Sequence, residues 1–283
     1  MKPIKQMREA AFKNADEIIN QLGPRLAGTE SSRQSAKMIH STLEDFCDDS
    51  FLEDFNVHQG ALLGWIQLLV IFYMASVTLL WFNIPLIALI LSASSILILV
   101  LQFFFYLPII DFLYPKKPCQ NAVGIIEPQK EVKRQVIISG HHDSARIFNF
   151  FIHQPKLYNL RVTGSIGFVV FLLVISVLRL FMSQDLIMLI SNIILTIGAL
   201  LIVQMWFFAS KKGTPGAGDN LMASTMAVEI GRYYSKNKLN HTRIIIASFD
   251  AEEEGLRGAR AFEKKKKKWF EEYPTVLLNA DCM

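Results

Sequence analysis

VKRQVIISGHHDS, from Val132 to Ser144, is the stretch on which the fold turns. An apolar run ends directly before a glycine, two histidines, an aspartate and a serine. That order is the mark of a short buried strand that delivers reactive groups at its end. The pattern recurs further along the chain. RIIIASF (Arg243–Phe249) runs into Asp250-Ala251-Glu252-Glu253, and TVLLN (Thr275–Asn279) runs into Ala280-Asp281. Short β-branched runs of this kind are typical of buried strands. Asn121–Glu127 and Val132–Ser139 also read as strands. Residues 5–20 and 31–46 have helical spacing and are joined by Gly23-Pro24-Arg25-Leu26-Ala27-Gly28. Asn220–Lys238 places Leu221, Met222, Met226, Val228, Ile230 and Tyr233/Tyr234 near helical spacing, and Leu256–Phe270 is expected to be helical as well. Alternating strands and helices imply an α/β sheet domain. In open α/β sheets the functional groups gather beyond the carboxyl ends of the strands. His141, Asp250–Glu253 and Asp281 are therefore expected at one rim, with Asp219 where a loop becomes a helix.

The remaining sequence is of another kind. The chain has 283 residues, of which 52% are hydrophobic and 19% charged. The apolar residues are concentrated in two blocks. Four spans are expected in two tight hairpins, at about 61–82, 86–108, 164–181 and 186–208, each long enough to cross a hydrocarbon core of roughly 30 Å. The breaks are Asn83-Ile84-Pro85 and the stretch from Arg179 to Asp185. This divides the chain into 1–60, a transmembrane hairpin at 61–108, 109–163, a second hairpin at 164–208, and 209–283. Nothing before Met38 reads as a signal peptide, since Glu9, Asp16 and Glu17 interrupt the first thirty residues. Two hairpins leave the three polar segments on one side of the bilayer. Lys116, Lys117, Lys156, Arg161, Lys211 and Lys212 flank the membrane on that side, whereas the opposite turns offer Arg179 balanced by Asp185. The positive-inside rule then places the polar segments on the cytoplasmic face.

The net charge of +4 raises the question of a nucleic-acid partner. The excess sits beside the apolar spans and in the run Lys264–Lys268, which favours anionic lipid headgroups over nucleic acid. That lysine run itself reads as a solvated helix face. Cys47, Cys119 and Cys282 have no CxxC spacing and read as ordinary reduced cysteines.

Imidazole and carboxylate groups are suitable zinc ligands. His141 offers one ring nitrogen to a metal, and Asp143, two residues on, can accept a hydrogen bond from the other and hold the ring. His142 competes for the ligand role, but alternation after a strand turns it away. Asp219 is the best candidate to bridge two metals roughly 3.5–4 Å apart. In the run Glu252-Glu253-Glu254, adjacent side chains point different ways. One can bind metal while its neighbour takes a proton from water and later delivers it to a leaving amine. Taken singly, an HxD string or a glutamate triplet is common by chance. Their joint order after strands and before helices is specific.

The strings GHHDS, GAGDN, FDAEEEGLRGAR and LLNADC, together with the early GPRLAGTESSRQSAKMI, resemble metallopeptidase family 28, whose members use co-catalytic zinc. The likeness covers the polar parts from about Gly23 onward, with the hairpins as insertions. It implies a three-layer α/β/α sandwich around a mixed sheet, and a zinc-dependent exopeptidase acting on peptides. Carried onto this sequence, it makes His141 and Asp281 ligands of one zinc, Asp219 the bridge and Glu253 a ligand of the other zinc. Glu252 becomes the general base and Asp143 the group that orients His141. The Asp219-Asn220 bond is expected to be cis. The family also supplies a last histidine ligand well downstream of the position of Asp281. His153 and His241 occupy no matching motif, so one zinc is well liganded here and the other keeps Asp219 and Glu253. The expectation is a piece of a longer protein, ahead of a complete one with an impaired second site.

An aminopeptidase is the leading expectation. Cyclisation of an amino-terminal glutamine on the same scaffold is the alternative, because it can use one zinc. A non-catalytic membrane scaffold or receptor would have lost ligand residues, whereas each motif is intact. Transport through the spans is disfavoured by their lack of internal charge.

Overall fold

Strand residues Thr242–Phe249 show how the sheet is built. Ile244 and Ile246 pack into one apolar cluster with Ala11, Ile18, Ile39, Leu43 and Val228, while Ile245, Ala247 and Phe249 pack into another with Phe262. Successive side chains of a strand point to opposite faces, so this strand is buried on both sides by helices. The computed structural model describes residues 2–182 and 184–282, with the side chains of Lys2 and Pro3 also left aside. Ser183, in the turn expected between the third and fourth spans, lies outside the described residues, as do Met1 and Met283.

The described elements begin with α1 (Lys2–Leu22), α2 (Glu30–Glu44), β1 (Asp49–His58), α3 (Ala61–Trp81) and α4 (Pro85–Ile98), which continues as a wider turn to Phe104. Next come β2 (Lys116–Ile126), β3 (Arg134–His141), β4 (Arg146–Phe148), α5 (Asn149–His153), α6 (Pro155–Leu178) and α7 (Asp185–Val203). The chain ends with β5 (Ala209–Gly213), α8 (Met222–Lys236), β6 (Thr242–Phe249), α9 (Arg257–Lys265), α10 (Lys267–Glu272) and β7 (Thr275–Asn279). These elements form two compact units. The first comprises 1–59, 115–146 and 212–283, the second 60–114 and 147–211.

The first unit is an α/β fold with a five-stranded mixed sheet in the order β1-β2-β6-β3-β7. β2 runs antiparallel to both β1 and β6, whereas β3 runs parallel to both β6 and β7. Ile138 stands opposite Ile246 and Leu278, and His141 opposite Phe249. The three parallel strands thus discharge His141, Asp250 and Ala280-Asp281 at the same rim. β7 pairs with β3 alone among the described strands, and its Val276, Leu277 and Leu278 are each 55–56% exposed. Gly140 permits the close approach of α8 to β3. A Cβ there would lie 2.6 Å from the Ser224 nitrogen and 2.8 Å from the Ala223 carbonyl carbon, closer than real contacts.

Several elements differ from the sequence reading. β1 (DSFLEDFNVH) was not anticipated, because an edge strand carrying Glu53, Asp54 and Asn56 lacks a clean apolar alternation. β2 starts at Lys116 rather than Asn121, since its first residues pair with β1 down to His58. The helix expected over Leu256–Phe270 divides at Lys266, whose ammonium lies 4.2 Å from the Phe51 ring centroid and 4.5 Å from that of Trp269. Lys266 is therefore held over aromatic faces and is not part of a uniformly solvated run.

Among the described residues, the second unit contains four helices long and apolar enough by length and composition to cross a membrane: Ala61–Trp81, Pro85–Phe104, Pro155–Leu178 and Asp185–Phe207. The third begins before residue 164, because Lys156 and Arg161 are helical although charged; Arg161 stacks over the Phe150 ring at 4.6 Å. Trp65, Leu69, Tyr73, Leu80, Leu172, Leu195 and Ile202 form the heart of its core. Ile90, Leu97, Ile197 and Leu200 are more than half exposed. Buried polar groups turn onto backbone: Tyr73 donates to the Leu195 carbonyl at 2.9 Å and Ser176 to that of Leu172 at 2.8 Å. Arg179 donates at 2.7 Å to the carbonyls of Leu80 and Met188 and to Asn192 Oδ1.

Candidate metal centre

His141 is the last residue of β3 and is buried. Its Nδ1 lies 3.2 Å from Asp143 Oδ1, so the carboxylate two residues on grips the ring. Its Nε2 faces three other carboxylates: Asp219 Oδ1 at 3.3 Å, Glu252 Oε2 at 3.6 Å and Asp281 Oδ1 at 3.7 Å. No acceptor is aligned for a hydrogen bond on this buried nitrogen. Donors about 2.0–2.1 Å from a tetrahedral zinc stand about 3.3–3.5 Å from one another. The 3.3 Å between Nε2 and Asp219 Oδ1 is of that size, and with Glu253 these residues form a donor set that fits such an ion. Ligand atoms of His141, Asp219 and Glu253 all lie within 4.8 Å of one another, as do those of Asp219, Asp281 and Cys282. Asp219 belongs to both groups.

Each acidic side chain is positioned by identifiable contacts. Asp143 is fully buried, and its two carboxylate oxygens accept the backbone N–H groups of Glu252 and Glu253, each at 3.1 Å. One aspartate therefore sets both the imidazole and the glutamate pair. The Asp219-Asn220 bond is cis, and Asn220 Nδ2 donates to the Ala280 carbonyl at 2.8 Å, next to Asp281. Gly216 stands at φ +58 just before, where a Cβ would lie 2.6 Å from that of Ser144. Glu254, the third member of the triplet, is turned to Arg146 at 3.8 Å.

Beneath this rim lie groups to which the sequence reading gave no supporting role. Arg25 is fully buried and donates to the carbonyls of His142 at 2.9 Å, Gly23 at 2.8 Å and Gly216 at 3.0 Å. It ties together the opening loop, the histidine loop and the loop that leads to Asp219. Asp250 accepts Ser32 Oγ and the Ala251 N–H at 2.8 Å, and the Gln120 N–H at 3.3 Å, while its own N–H donates to Asn121 Oδ1 at 3.0 Å. This anchors a turn in which Ala251 takes φ +56 immediately before Glu252. The signal for Arg25 lay in GPRLAG and that for Asp250 in FDAEEEGL, but position alone did not reveal burial. His142 turns away from His141 as expected, with Nδ1 2.9 Å from Ser248 Oγ. His241 lies just before β6, at the end of the sheet opposite His141, with Nδ1 2.9 Å from the Glu131 carbonyl oxygen. His153 belongs to the second unit.

The electrostatics of the cluster are those of crowded acids around one imidazole. Burial opposes protonation of His141, but Asp143, Asp219 and Glu252 outweigh it and raise its pKa to about 11. Asp219 is lowered, chiefly by its contact with His141. Burial raises Glu252 to about 7 and Glu253 to about 8, with Asp143 and Asp219 adding to the rise in both. Burial also lifts Asp250 to about 7, reinforced by Asp143. Arg25 is lowered to about 10 by burial, which the charge of Asp143 partly offsets. So dense a set of perturbed groups at one rim marks a functional site.

Residues 203–283 match the model of Peptidase family M28. That match is confined to the last of the three polar segments and the end of the fourth apolar helix. The resemblance read from the sequence is thereby borne out, and it implies zinc as the metal. Asp219, Glu252, Glu253 and Asp281 lie within the matched residues, whereas His141 and Asp143 precede them. No curated protein matches the chain. Among solved structures, the zinc aminopeptidase BSAP from Bacillus subtilis is similar at 14% identity and TM-score 0.50, over 97% of this chain and 69% of that one. At that identity the likeness concerns the fold. A glutaminyl cyclase from Fimbriiglobus ruber matches at 12% identity and TM-score 0.49, over 97% of this chain and 61% of that one. A Zn-dependent exopeptidase from Parabacteroides distasonis matches at 12% identity and TM-score 0.40, over 87% and 47%. The chain thus spans between about half and about two thirds of these proteins.

Proposed function

We propose that this chain is a membrane-inserted zinc-dependent exopeptidase, acting as an aminopeptidase on short peptides. The observation that carries the reading is the buried, unpartnered His141 Nε2, with carboxylates of Asp219, Glu252 and Asp281 within 3.7 Å. In this reading His141, Asp219 and Asp281 hold one zinc, and Asp219 and Glu253 a second. Zinc, when bound, polarises the scissile carbonyl and makes water a better nucleophile near neutral pH. Asp143 orients His141 through Nδ1 and holds the Glu252 and Glu253 backbone. Glu252 takes the proton of the attacking water and passes it to the leaving amine. The helices on both faces of the mixed sheet are two of the three layers that flank and form an α/β/α sandwich.

The same reading makes 61–108 and 164–208 transmembrane hairpins in contact with lipid. Support comes from the four apolar helices and from the outward-facing Ile90, Leu97, Ile197 and Leu200. The lysines and arginines beside the spans favour a cytoplasmic catalytic face.

Glu252→Gln is expected to abolish release of amino acids from short peptides while zinc content, measured on purified protein, stays near that of the parent. Turnover retained by the variant would overturn Glu252 as the base. A peptide with amino-terminal glutamine separates the alternative: release of free glutamine supports the peptidase, loss of ammonia with the chain length unchanged supports the cyclase. For topology, Lys267, whose side chain is 76% exposed, is replaced by cysteine. Labelling of that cysteine by a membrane-impermeant reagent added to intact cells would overturn the cytoplasmic placement.

A further inference from the structure

The three cysteines, alike in the sequence, are unlike in the fold. Cys119 is buried and Cys47 half-buried, whereas Cys282 is exposed. Cys282 Sγ lies within 4.8 Å of carboxylate oxygens of both Asp219 and Asp281. A cysteine beside two acids is not by itself a site, but a separate observation points a further donor at the same two acids. His141 Nε2 is buried and unpartnered, 3.3 Å from Asp219 Oδ1 and 3.7 Å from Asp281 Oδ1. An imidazole nitrogen and a sulfur thus approach the same two carboxylates.

We propose that Cys282 is a metal ligand, its sulfur joining Asp219 and Asp281 on a divalent ion. This rests on the metal-site reading above and adds a donor that neither the motifs nor the resemblance assigned. The chemistry balances simply. The S–H bond breaks, its proton leaves to solvent, and the sulfur forms a bond to the metal without change of oxidation state. A thiolate makes the donor set softer than nitrogen and oxygen alone, which favours zinc or cobalt over magnesium or calcium. Asp219 is shared between the His141–Asp219–Glu253 and Asp219–Asp281–Cys282 groups. Cys282 therefore strengthens the side of the cluster that lacks Glu253.

The test is cobalt spectroscopy on the full 283-residue chain, purified in detergent and stripped with a chelator. Added Co(II) is expected to give visible ligand-field bands together with a near-ultraviolet sulfur-to-cobalt charge-transfer band. Cys282→Ser should lose the charge-transfer band and keep the visible ones. Visible bands without charge transfer in the parent chain, or charge transfer that survives Cys282→Ser, would overturn Cys282 as a ligand and leave the metal site standing. A chain that gives no cobalt spectrum at all would overturn both. A second readout is thiol alkylation followed by mass spectrometry. Zinc should slow modification of Cys282 in the parent, and equal rates with and without zinc would also overturn the proposal.

Discussion

Both units bury polar side chains, but they do so to opposite ends. In the helical unit Tyr73, Ser176 and Arg179 spend their donors on carbonyls of the same or neighbouring helices, and Arg179 adds the Asn192 side chain. In the sheet unit Asp143, Asp250 and Arg25 also find partners, yet those partners lie on the segments that lead to one rim. There a buried imidazole nitrogen is left open to acids. Buried polarity alone does not make a site. What distinguishes the rim is a donor kept free while its supports are fully bonded, because an unmet buried polar group is costly unless a ligand meets it.

The sharpest way to break this contrast is to remove the two buried guanidinium groups. Arg25→Met strands the carbonyls of Gly23, His142 and Gly216, and each stranded group costs about 1–3 kcal/mol. The variant is expected to unfold at markedly lower temperature and to lose zinc. Arg179→Met removes contacts of the same type and should also lower the unfolding temperature, but zinc bound per folded molecule should be unchanged. If Arg179→Met emptied the metal site as Arg25→Met does, the division of labour drawn here would fail. Next in size is Asp143→Ala. It takes the support from His141, Glu252 and Glu253 together, and about a 10–100-fold loss in metal affinity is expected by titration.

Asp250 offers a pH test. Its pKa is raised to about 7 in the fold, against about 3.9 in an unfolded chain. The folded state therefore holds this proton more tightly. The stabilisation is fully present below the unfolded value and is lost as pH rises toward the folded one. Relative to Asp250→Asn, the parent should lose thermal stability between pH about 4 and about 7 and change little above it. A pH-independent difference would remove Asp250 as a buried proton holder. The smallest effect is expected from Ser176→Ala, whose hydroxyl bonds to the carbonyl one turn earlier. A change within about 0.5 kcal/mol is expected, read from unfolding midpoints.

Much of the sheet was legible because β6, β3 and β7 are short β-branched runs, and each is followed directly by polar residues. β1 was not, since an edge strand with Glu53, Asp54 and Asn56 carries little apolar periodicity. The candidate ligands were legible from their place after strands, and the structure brings His141, Asp219, Glu252 and Asp281 together. Their supports were not. Arg25 touches residues more than a hundred positions away, and Asp250 meets Ser32, at a separation of 218. Such pairings arise from tertiary packing and leave no local trace.

Gly140 shows how a reaction geometry can depend on an atom that is missing. The residue before His141 touches the start of α8 so closely that one added methyl would collide with the Ser224 nitrogen. Alanine at this position would wedge the strand bearing the imidazole away from the helix that follows Asp219. The donor spacing would widen although no donor had changed. Empty space here works as a gauge block, setting the gap between the imidazole and the loop that carries Asp219.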